Sequence, residues 1–109
     1  MARLKSGHII NAAMRLADRQ HIPFYVMKKG DADSGVLFIE IEADAHSSTL
    51  YTRMINIDGI YEYLPISGDE PRDRLEIAAL IEREIQRDSD CWVVSIEGQK
   101  GLQIFQQIT

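Results

Sequence analysis

An α+β fold is predicted for the chain of 109 residues, as one domain (1–109) with a mainly antiparallel sheet of about five strands and two helices packed on it. Two amphipathic segments with helical spacing enclose a run of short segments rich in β-formers. The pair Asp58-Gly59 lies between apolar residues and is a strong hairpin signal. Because hairpins need no crossover connection, we expect both helices on one face of the sheet, in the order α-β-β-β-β-α-β.

The first half of the chain contains one predicted helix and four predicted strands. Residues 6–20 form the helix, with Ser6 as its N-cap and Pro23 preventing a clean continuation. Segments rich in β-branched and aromatic residues are then predicted as strands: 22–29, 36–43, 48–56 and about 60–64. The first two of these strands are expected to form a hairpin.

The second half contains the other helix, the fifth strand and a tail. The helix is predicted over about residues 70–88, capped by Ser67 or Asp69. The strand is predicted over residues 91–97, with its alternating apolar side chains on one face. Residues 98–109 begin with the turn-like "GQKG" and are expected to add a short strand or to dock as a tail.

The charge is unevenly distributed along the chain. The net charge is −5, but the first 30 residues carry six basic side chains against one acidic one, which leaves six basic and sixteen acidic residues for the rest. The six basic side chains are Arg3, Lys5, Arg15, Arg19, Lys28 and Lys29. With Asp31, they are the candidate residues for contact with a partner or an anion. The alternative without a functional role is that the basic side chains form the solvated face of a helix or dock on the acidic remainder of the fold.

The location of the protein is predicted from what the sequence lacks. A single cysteine, Cys91, excludes an internal disulfide framework and favours a reducing compartment. No apolar run approaches the roughly 20 residues of a membrane span, and the N-terminal segment lacks the apolar block of a secretory signal. We therefore expect a cytoplasmic protein without membrane contact.

The stretch "GDADSG", residues 30–35, invites a metal or phosphate interpretation. Its acids do not fit a helix–loop–helix calcium site, because Gly35 falls where the third acid is needed and a strand follows instead of a helix. A phosphate loop needs a glycine-rich turn that leads into a helix, whereas here the lysines precede the turn. Glycine, aspartate and serine are also the usual residues of a hairpin loop, which is the prediction we adopt.

No other group in the sequence predicts chemistry. The three histidines, His8, His21 and His46, lack the spacing of metal ligands, and Cys91 is more typical of a small buried apolar residue than of a nucleophile. No carboxylates are visibly paired for acid–base catalysis. We therefore predict no catalytic set, no metal and no cofactor.

The sequence resembles a family of short proteins of unknown function, about 110 residues long, from alphaproteobacteria. Three stretches carry the resemblance: "RLKSGHIINAAMRLA", "VMKKGDADSGVLFIEIE" and "EREIQRDSDCWVVSIE". The resemblance implies no activity. It marks candidate signature positions, which are Lys28, Lys29, Gly30, Asp31, Gly35, Asp88, Asp90 and Trp92. The family commonly has proline at position 89 and leucine at position 91, where this chain has Ser89 and Cys91.

Three functions are compatible with the charge distribution and the predicted fold. The first is a non-enzymatic, self-associating protein-interaction module, favoured by the lack of catalytic groups, the exposed strand edges and the divided charge. The second is a binder of, or an enzyme acting on, an anionic small molecule such as a nucleotide or an acyl-coenzyme A, by analogy of element order with N-acetyltransferases. The third is weak RNA binding through the basic residues, which the acidic net charge disfavours. The candidate residues for base stacking are Tyr25, Tyr51, Tyr61, Tyr63 and Trp92.

Overall fold

Three helices and a mixed six-stranded sheet form the fold in this computed structural model, which describes residues 5–108. The elements in chain order are α1 (Ser6–Arg19), β1 (Phe24–Lys28), β2 (Leu37–Glu42), β3 (Ser47–Ile55), β4 (Tyr61–Pro65), β5 (Arg72–Asp73), α2 (Arg74–Arg87), β6 (Trp92–Glu97) and α3 (Gly98–Ile108). The predicted α+β class and the mainly antiparallel sheet are confirmed. Within residues 5–108, no helix combines the length and apolar character needed to cross a membrane.

The strand order is β1-β6-β2-β3-β4, with the short β5 paired to β3. Strand β6 therefore lies between β1 and β2, antiparallel to the first and parallel to the second. The expected hairpin between β1 and β2 is wrong, because the connection between them passes over the start of β6. The cause is burial: the first five residues of β6 are all buried, so this strand needs a neighbour on each edge as well as cover on each face.

The hairpin predicted at Asp58-Gly59 is confirmed. Strands β3 and β4 pair antiparallel, with Ile55 opposite Tyr61, and Gly59 adopts a φ of +80° in the connecting turn. This backbone conformation is open to glycine at little cost, which is why the local signal was informative here.

Helices cover both faces of the sheet, which corrects the expectation of a single covered face. The larger core cluster packs α1 and α3 against one face, where Ile39, Val94 and Phe105 are fully buried. The smaller cluster packs α2 against the other face through Ile77 and Ile81. Both clusters are needed because β2 and β6 carry apolar side chains on both of their faces.

The tail predicted as a strand or a docked segment is the third helix, α3, and "GQKG" is its first turn. Gly98 has a φ of +73° at the end of β6, so the chain turns there directly into the helix. Gly101 lies so close to Ile96 that a Cβ atom would come within 2.8 Å of that side chain. Both glycines suggest a turn in the sequence. In the structure Gly98 forms the turn, and Gly101 allows α3 to pack against the sheet.

The helix starts also differ from the prediction. Helix α2 begins at Arg74, and its N-cap is Asp73, whose carboxylate accepts a hydrogen bond from the Leu75 N–H at 2.8 Å. Ser67 is used elsewhere, since its hydroxyl accepts from the Leu50 N–H at 2.9 Å. Ser6 does not cap α1; its hydroxyl donates instead to the Gly35 carbonyl oxygen.

The third helix is expected to be required for stability. Phe105 is 0% exposed and packs against Phe24 and Tyr63, with ring centroids 6.2 and 5.9 Å away. The substitution Phe105→Ala should lower the free energy of unfolding by about 3–5 kcal/mol in urea denaturation, because it leaves a cavity in the larger core cluster. The matched control Gln106→Ala, at an exposed position of the same helix, should change it by less than about 0.5 kcal/mol. Equal effects would contradict the role given to α3.

Candidate functional site

The connection between β1 and β2 is bonded to the start of β6. The Asp31 N–H donates to the Asp90 carbonyl oxygen at 2.9 Å, and the Trp92 indole N–H donates to the Asp31 carbonyl oxygen at 2.7 Å. The Trp92 backbone N–H donates to the Val36 carbonyl oxygen at 2.7 Å. We call this arrangement the β6 clamp. Its residues are Val36 and seven of the eight candidate signature positions: Lys28, Gly30, Asp31, Gly35, Asp88, Asp90 and Trp92.

The two glycines of the β6 clamp are explained by close approach. A Cβ atom on Gly30 would overlap the Asp90 carbonyl oxygen, and one on Gly35 would lie 2.5 Å from the same atom. Neither glycine has a positive φ, so a tight-turn conformation is not the reason for glycine at these positions. Two pieces of backbone pass each other here with no room for side chains.

Lys28 is directed at backbone carbonyl groups of the clamp. Its ammonium group donates to the carbonyl oxygens of Ser89 and, at 3.0 Å, Cys91. A longer contact of 3.4 Å reaches the Lys29 carbonyl oxygen. The contacts with Ser89 and Cys91 satisfy two carbonyl groups in the segment between α2 and β6. Lys28 is thus accounted for structurally, while the Lys29 side chain is exposed.

The aspartates of the clamp close local turns. The Asp31 carboxylate accepts from the Ser34 N–H and hydroxyl, both at 2.8 Å, and from the Asp33 N–H at 3.2 Å. These bonds, led by that from the Ser34 N–H, hold the pKa of Asp31 below its ordinary value. Asp88 accepts from the Asp90 N–H at 2.9 Å. Asp31 and Asp88 therefore bond to their own loops, as short polar side chains commonly do.

The basic candidate residues do not form one surface. Arg15 and Arg19 lie on the exposed side of α1, whereas Lys28 lies near α2 on the opposite face of the sheet. Lys5 pairs with Asp33 at 3.4 Å, and both side chains are largely exposed. Arg3 lies outside the described residues.

Cys91 is a buried member of the α2 core cluster. It is 0% exposed and packs with Phe38, Ile77 and Ile81. Burial raises the pKa of its thiol, so the group stays protonated at neutral pH. Across residues 5–108, no group of three histidine, cysteine or acidic side chains is arranged to hold a metal ion.

A cleft that the sequence analysis missed lies between α2 and the β1–β6 side of the sheet. We call it the α2 cleft; it measures about 320 Å³ and is lined by Met27, Lys28, Glu40, Arg74, Ala78, Ile81, Glu82, Ile85 and Val93. Glu40 is only 3% exposed. Its position between Phe38 and Glu42 on β2 looks like the polar end of a strand, so periodicity gave little sign of its burial.

Glu40 belongs to a polar network beneath the start of α2. Its Oε2 atom accepts from the Ser48 hydroxyl at 2.6 Å and lies 3.6 Å from the Arg74 Nε atom. The other end of the Arg74 guanidinium contacts Glu42 at 2.8 Å. One cation is therefore shared by two carboxylates, which leaves the network with a net negative charge.

A group of exposed apolar side chains, on both faces of the β3–β4 hairpin, is the second feature missed from the sequence. We call it the isoleucine hairpin; its large apolar side chains are Met54, Ile55, Ile57, Ile60 and Leu64. Ile57 is fully exposed and Ile60 is 62% exposed. The sequence "NIDGIY" contains a signal for this exposure, since two isoleucines adjoin the turn residues of a hairpin. The turn residues alone predict the hairpin and say nothing about the exposure of the isoleucines.

The fold and the clamp define a small α+β protein with a mixed sheet. Its interior strand β6 is held by the connection between β1 and β2. The chain belongs to the family described as protein of unknown function (DUF1491), whose profile matches residues 4–106. This result supports the resemblance to a family of unknown function. No curated protein matches the chain.

Three solved structures of similar proteins come from the alphaproteobacteria Caulobacter and Agrobacterium. A crystal structure of a DUF1491 family protein from Caulobacter crescentus is 23% identical, with a TM-score of 0.79 over 94% of each chain. An NMR structure of a DUF1491 family protein from the same organism is 24% identical, with a TM-score of 0.77 over 95% of this chain and 94% of that one. The solution structure of protein Atu0922 from A. tumefaciens is 29% identical, with a TM-score of 0.71 over 90% and 88% of the two chains. These likenesses establish the fold and bring no activity.

The close approach at Gly35 gives a stability prediction. The substitution Gly35→Ala should lower the free energy of unfolding by about 2 kcal/mol or more, because the new methyl group overlaps the carbonyl oxygens of Asp90 and Asp31. Denaturant unfolding of this variant and of Ser89→Ala, an exposed side chain in the same region, provides the measurement. An effect at Gly35 as small as that of the control would show that the two backbone segments are not in contact.

The hydrogen bonds of Asp31 give a pH prediction. Because folding lowers the pKa of this carboxyl, its contribution to stability is present above the ordinary value of 3.8 and is lost as the pH falls through the lower pKa of the folded state. An NMR titration of the Asp31 side chain should therefore give a midpoint below 3.8. The midpoint should move upward in Ser34→Ala, which removes one hydroxyl donor, and should not move in Ser89→Ala. A midpoint at or above 3.8 in the unsubstituted protein would contradict the described bonds.

Proposed function

We propose that the protein is a non-enzymatic interaction module that associates with a second copy of itself through the isoleucine hairpin. The observation that carries this proposal is the full exposure of Ile57 together with the 62% exposure of Ile60. Burying one such side chain contributes about 1.5–3 kcal/mol. A group of large apolar side chains on one protrusion is a common mark of a protein contact, whereas isolated exposed apolar residues are not.

The tip of the hairpin is held rigidly, which favours binding. The Asn56 side-chain oxygen accepts from the N–H groups of Asp58 and Ile60, at 2.9 and 3.0 Å. The Asn56 N–H donates to the Ile60 carbonyl oxygen at 2.8 Å, and the Gly59 N–H donates to the Asn56 carbonyl oxygen at 3.0 Å. Because the backbone of the turn is already ordered, little backbone entropy is lost when the two isoleucines are covered.

Charged residues beside the hairpin support a second copy as the partner. The Arg53 guanidinium lies 3.6 Å above the Tyr61 ring, and it has no ion pair with any residue in the described part of the chain. Asp58 and Glu62 also lack ion pairs within residues 5–108. A two-fold interface places each patch against its own copy, so Arg53 of one chain can pair with a carboxylate of the other. The apolar residues would form the interface core and these charges its rim.

The two other functions receive less support from the geometry. The basic residues are distributed over both faces of the sheet, so an anion or a nucleic acid would not meet them together. Tyr63 packs against Phe105 in the core and is not available for stacking with a base. A cytoplasmic location remains part of the proposal, since a single buried thiol suits a reducing compartment.

The hairpin proposal is tested by the mass in solution. Size-exclusion chromatography with light scattering, over a concentration series up to the millimolar range, should give a dimer for the unsubstituted protein. The double substitution Ile57→Asp with Ile60→Asp should raise the dissociation constant at least about tenfold, because it places charges in the interface core.

The matched control is Leu75→Asp, since Leu75 is 81% exposed but lies at the start of α2, away from the hairpin. This variant should dimerise as the unsubstituted protein does. A strict monomer at every concentration, or equal weakening by both variants, would contradict the proposed surface.

A further inference from the structure

We propose that the α2 cleft binds a small primary amine with an apolar body, whose ammonium group contacts Glu40. This inference does not depend on self-association, because the cleft and the isoleucine hairpin are separate surfaces with different lining residues.

The walls of the α2 cleft suit an apolar body of modest size. Met27 and Val93 form the floor on the sheet, while Ala78, Ile81 and Ile85 form the wall on α2. The volume of about 320 Å³ is at the lower end of the range for small-molecule sites. Apolar walls with a few polar groups are the usual composition of such sites.

Glu40 supplies an unpaired acceptor in this apolar setting. Both of its side-chain contacts, from Ser48 and Arg74, are made by the Oε2 atom. No residue between 5 and 108 bonds to its Oε1 atom, although the side chain is 97% buried and lines the cleft. Because the Oε1 atom is not fully buried, an ammonium group in the cleft can reach it and donate a charge-assisted hydrogen bond.

A second buried polar group, Ser95, lies beside Glu40 on the neighbouring strand but does not line the cleft. It is 3% exposed, and its hydroxyl has no hydrogen-bond partner among the described residues. In the parallel pairing of β2 with β6, Ser95 lies directly opposite Glu40, which places both side chains on the α2 face of the sheet. Neighbouring strands are about 4.8 Å apart, so Ser95 lies near Glu40 but forms no wall of the cleft, and Glu40 is the acceptor that a ligand meets. An ammonium group has three donors and no acceptor.

The charges around the cleft favour a cation over an anion. The donors of Lys28 are directed at three backbone carbonyl oxygens. The charge of Arg74 is shared by Glu40 and Glu42, and Glu82 adds a further carboxylate at the rim. Lys28 and Arg74 are thus engaged with protein acceptors, whereas the Glu40 Oε1 atom accepts from no residue between 5 and 108. An ammonium group therefore gains an acceptor there, and a carboxylate or phosphate would meet Glu40 and Glu82.

The test compares n-hexylamine with hexan-1-ol, which has the same chain but no charge. Isothermal titration calorimetry near neutral pH should show hexylamine binding at least about tenfold more tightly than hexanol. In NMR spectra, hexylamine should shift the backbone signals of Val93, Ile81 and Met27, which line the cleft. The substitution Glu40→Gln should reduce hexylamine affinity at least about tenfold and leave hexanol affinity within about twofold. The matched control Glu76→Gln, which removes the same charge from the exposed side of α2, should change neither.

A second variant tests the cleft if Glu40→Gln does not fold, since that substitution also removes a charge partner of Arg74. Ala78→Leu adds volume to the wall of the cleft without touching the polar network, and it should weaken hexylamine and hexanol alike, at least about fivefold. Equal affinity for amine and alcohol in the unsubstituted protein would overturn the proposal, as would the absence of hexylamine binding or binding unaffected by both variants.

Discussion

The insertion of β6 between β1 and β2 is the constraint on which the rest of the structure depends. With β6 in place, the sheet has a central pair of parallel strands that is buried on both faces. One face must then be covered by α1 and α3 and the other by α2. The β6 clamp belongs to this same constraint, because the connection from β1 to β2 has to pass across the start of the strand that separates them. The Trp92 indole, bonded to the Asp31 carbonyl oxygen, ties that connection to the core.

The clamp gives the signature positions a structural reason. Gly30 and Gly35 leave space for the Asp90 carbonyl oxygen, and Lys28 satisfies carbonyl groups in the turn before β6. The groups proposed to bind ligands lie elsewhere, at Glu40 in the α2 cleft and at Ile57 on the hairpin. The residues that hold the fold are thus separate from those proposed to bind. The α2 cleft follows from the same insertion, because β6 places Ser95 beside Glu40 and contributes Val93 to the floor of the cleft.

Local features of the fold could be predicted from the sequence, and long-range ones could not. The helix at Ser6–Arg19 and the turn at Gly59 follow from apolar spacing and from turn chemistry, both of which act within a few residues. The pairing of β2 with β6 joins residues more than fifty positions apart, and no local pattern encodes it. Gly101 suggested a turn because its packing role against Ile96 depends on that pairing. For the same reason Glu40 could not be recognised as buried, since its cover comes from α2 and β6.

Hydrogen exchange of the Trp92 indole N–H tests most directly the claim that the clamp holds β6 in the sheet. This proton lies at the junction of the connecting loop and β6, and its acceptor is the backbone carbonyl of Asp31. If the clamp is part of the cooperative core, the indole proton should exchange as slowly as the amide protons of Val94 and Ile96, through global unfolding. Exchange on the time scale of exposed loop amides, while those two amides stay protected, would show that the loop opens independently and that β6 is held in the sheet without it.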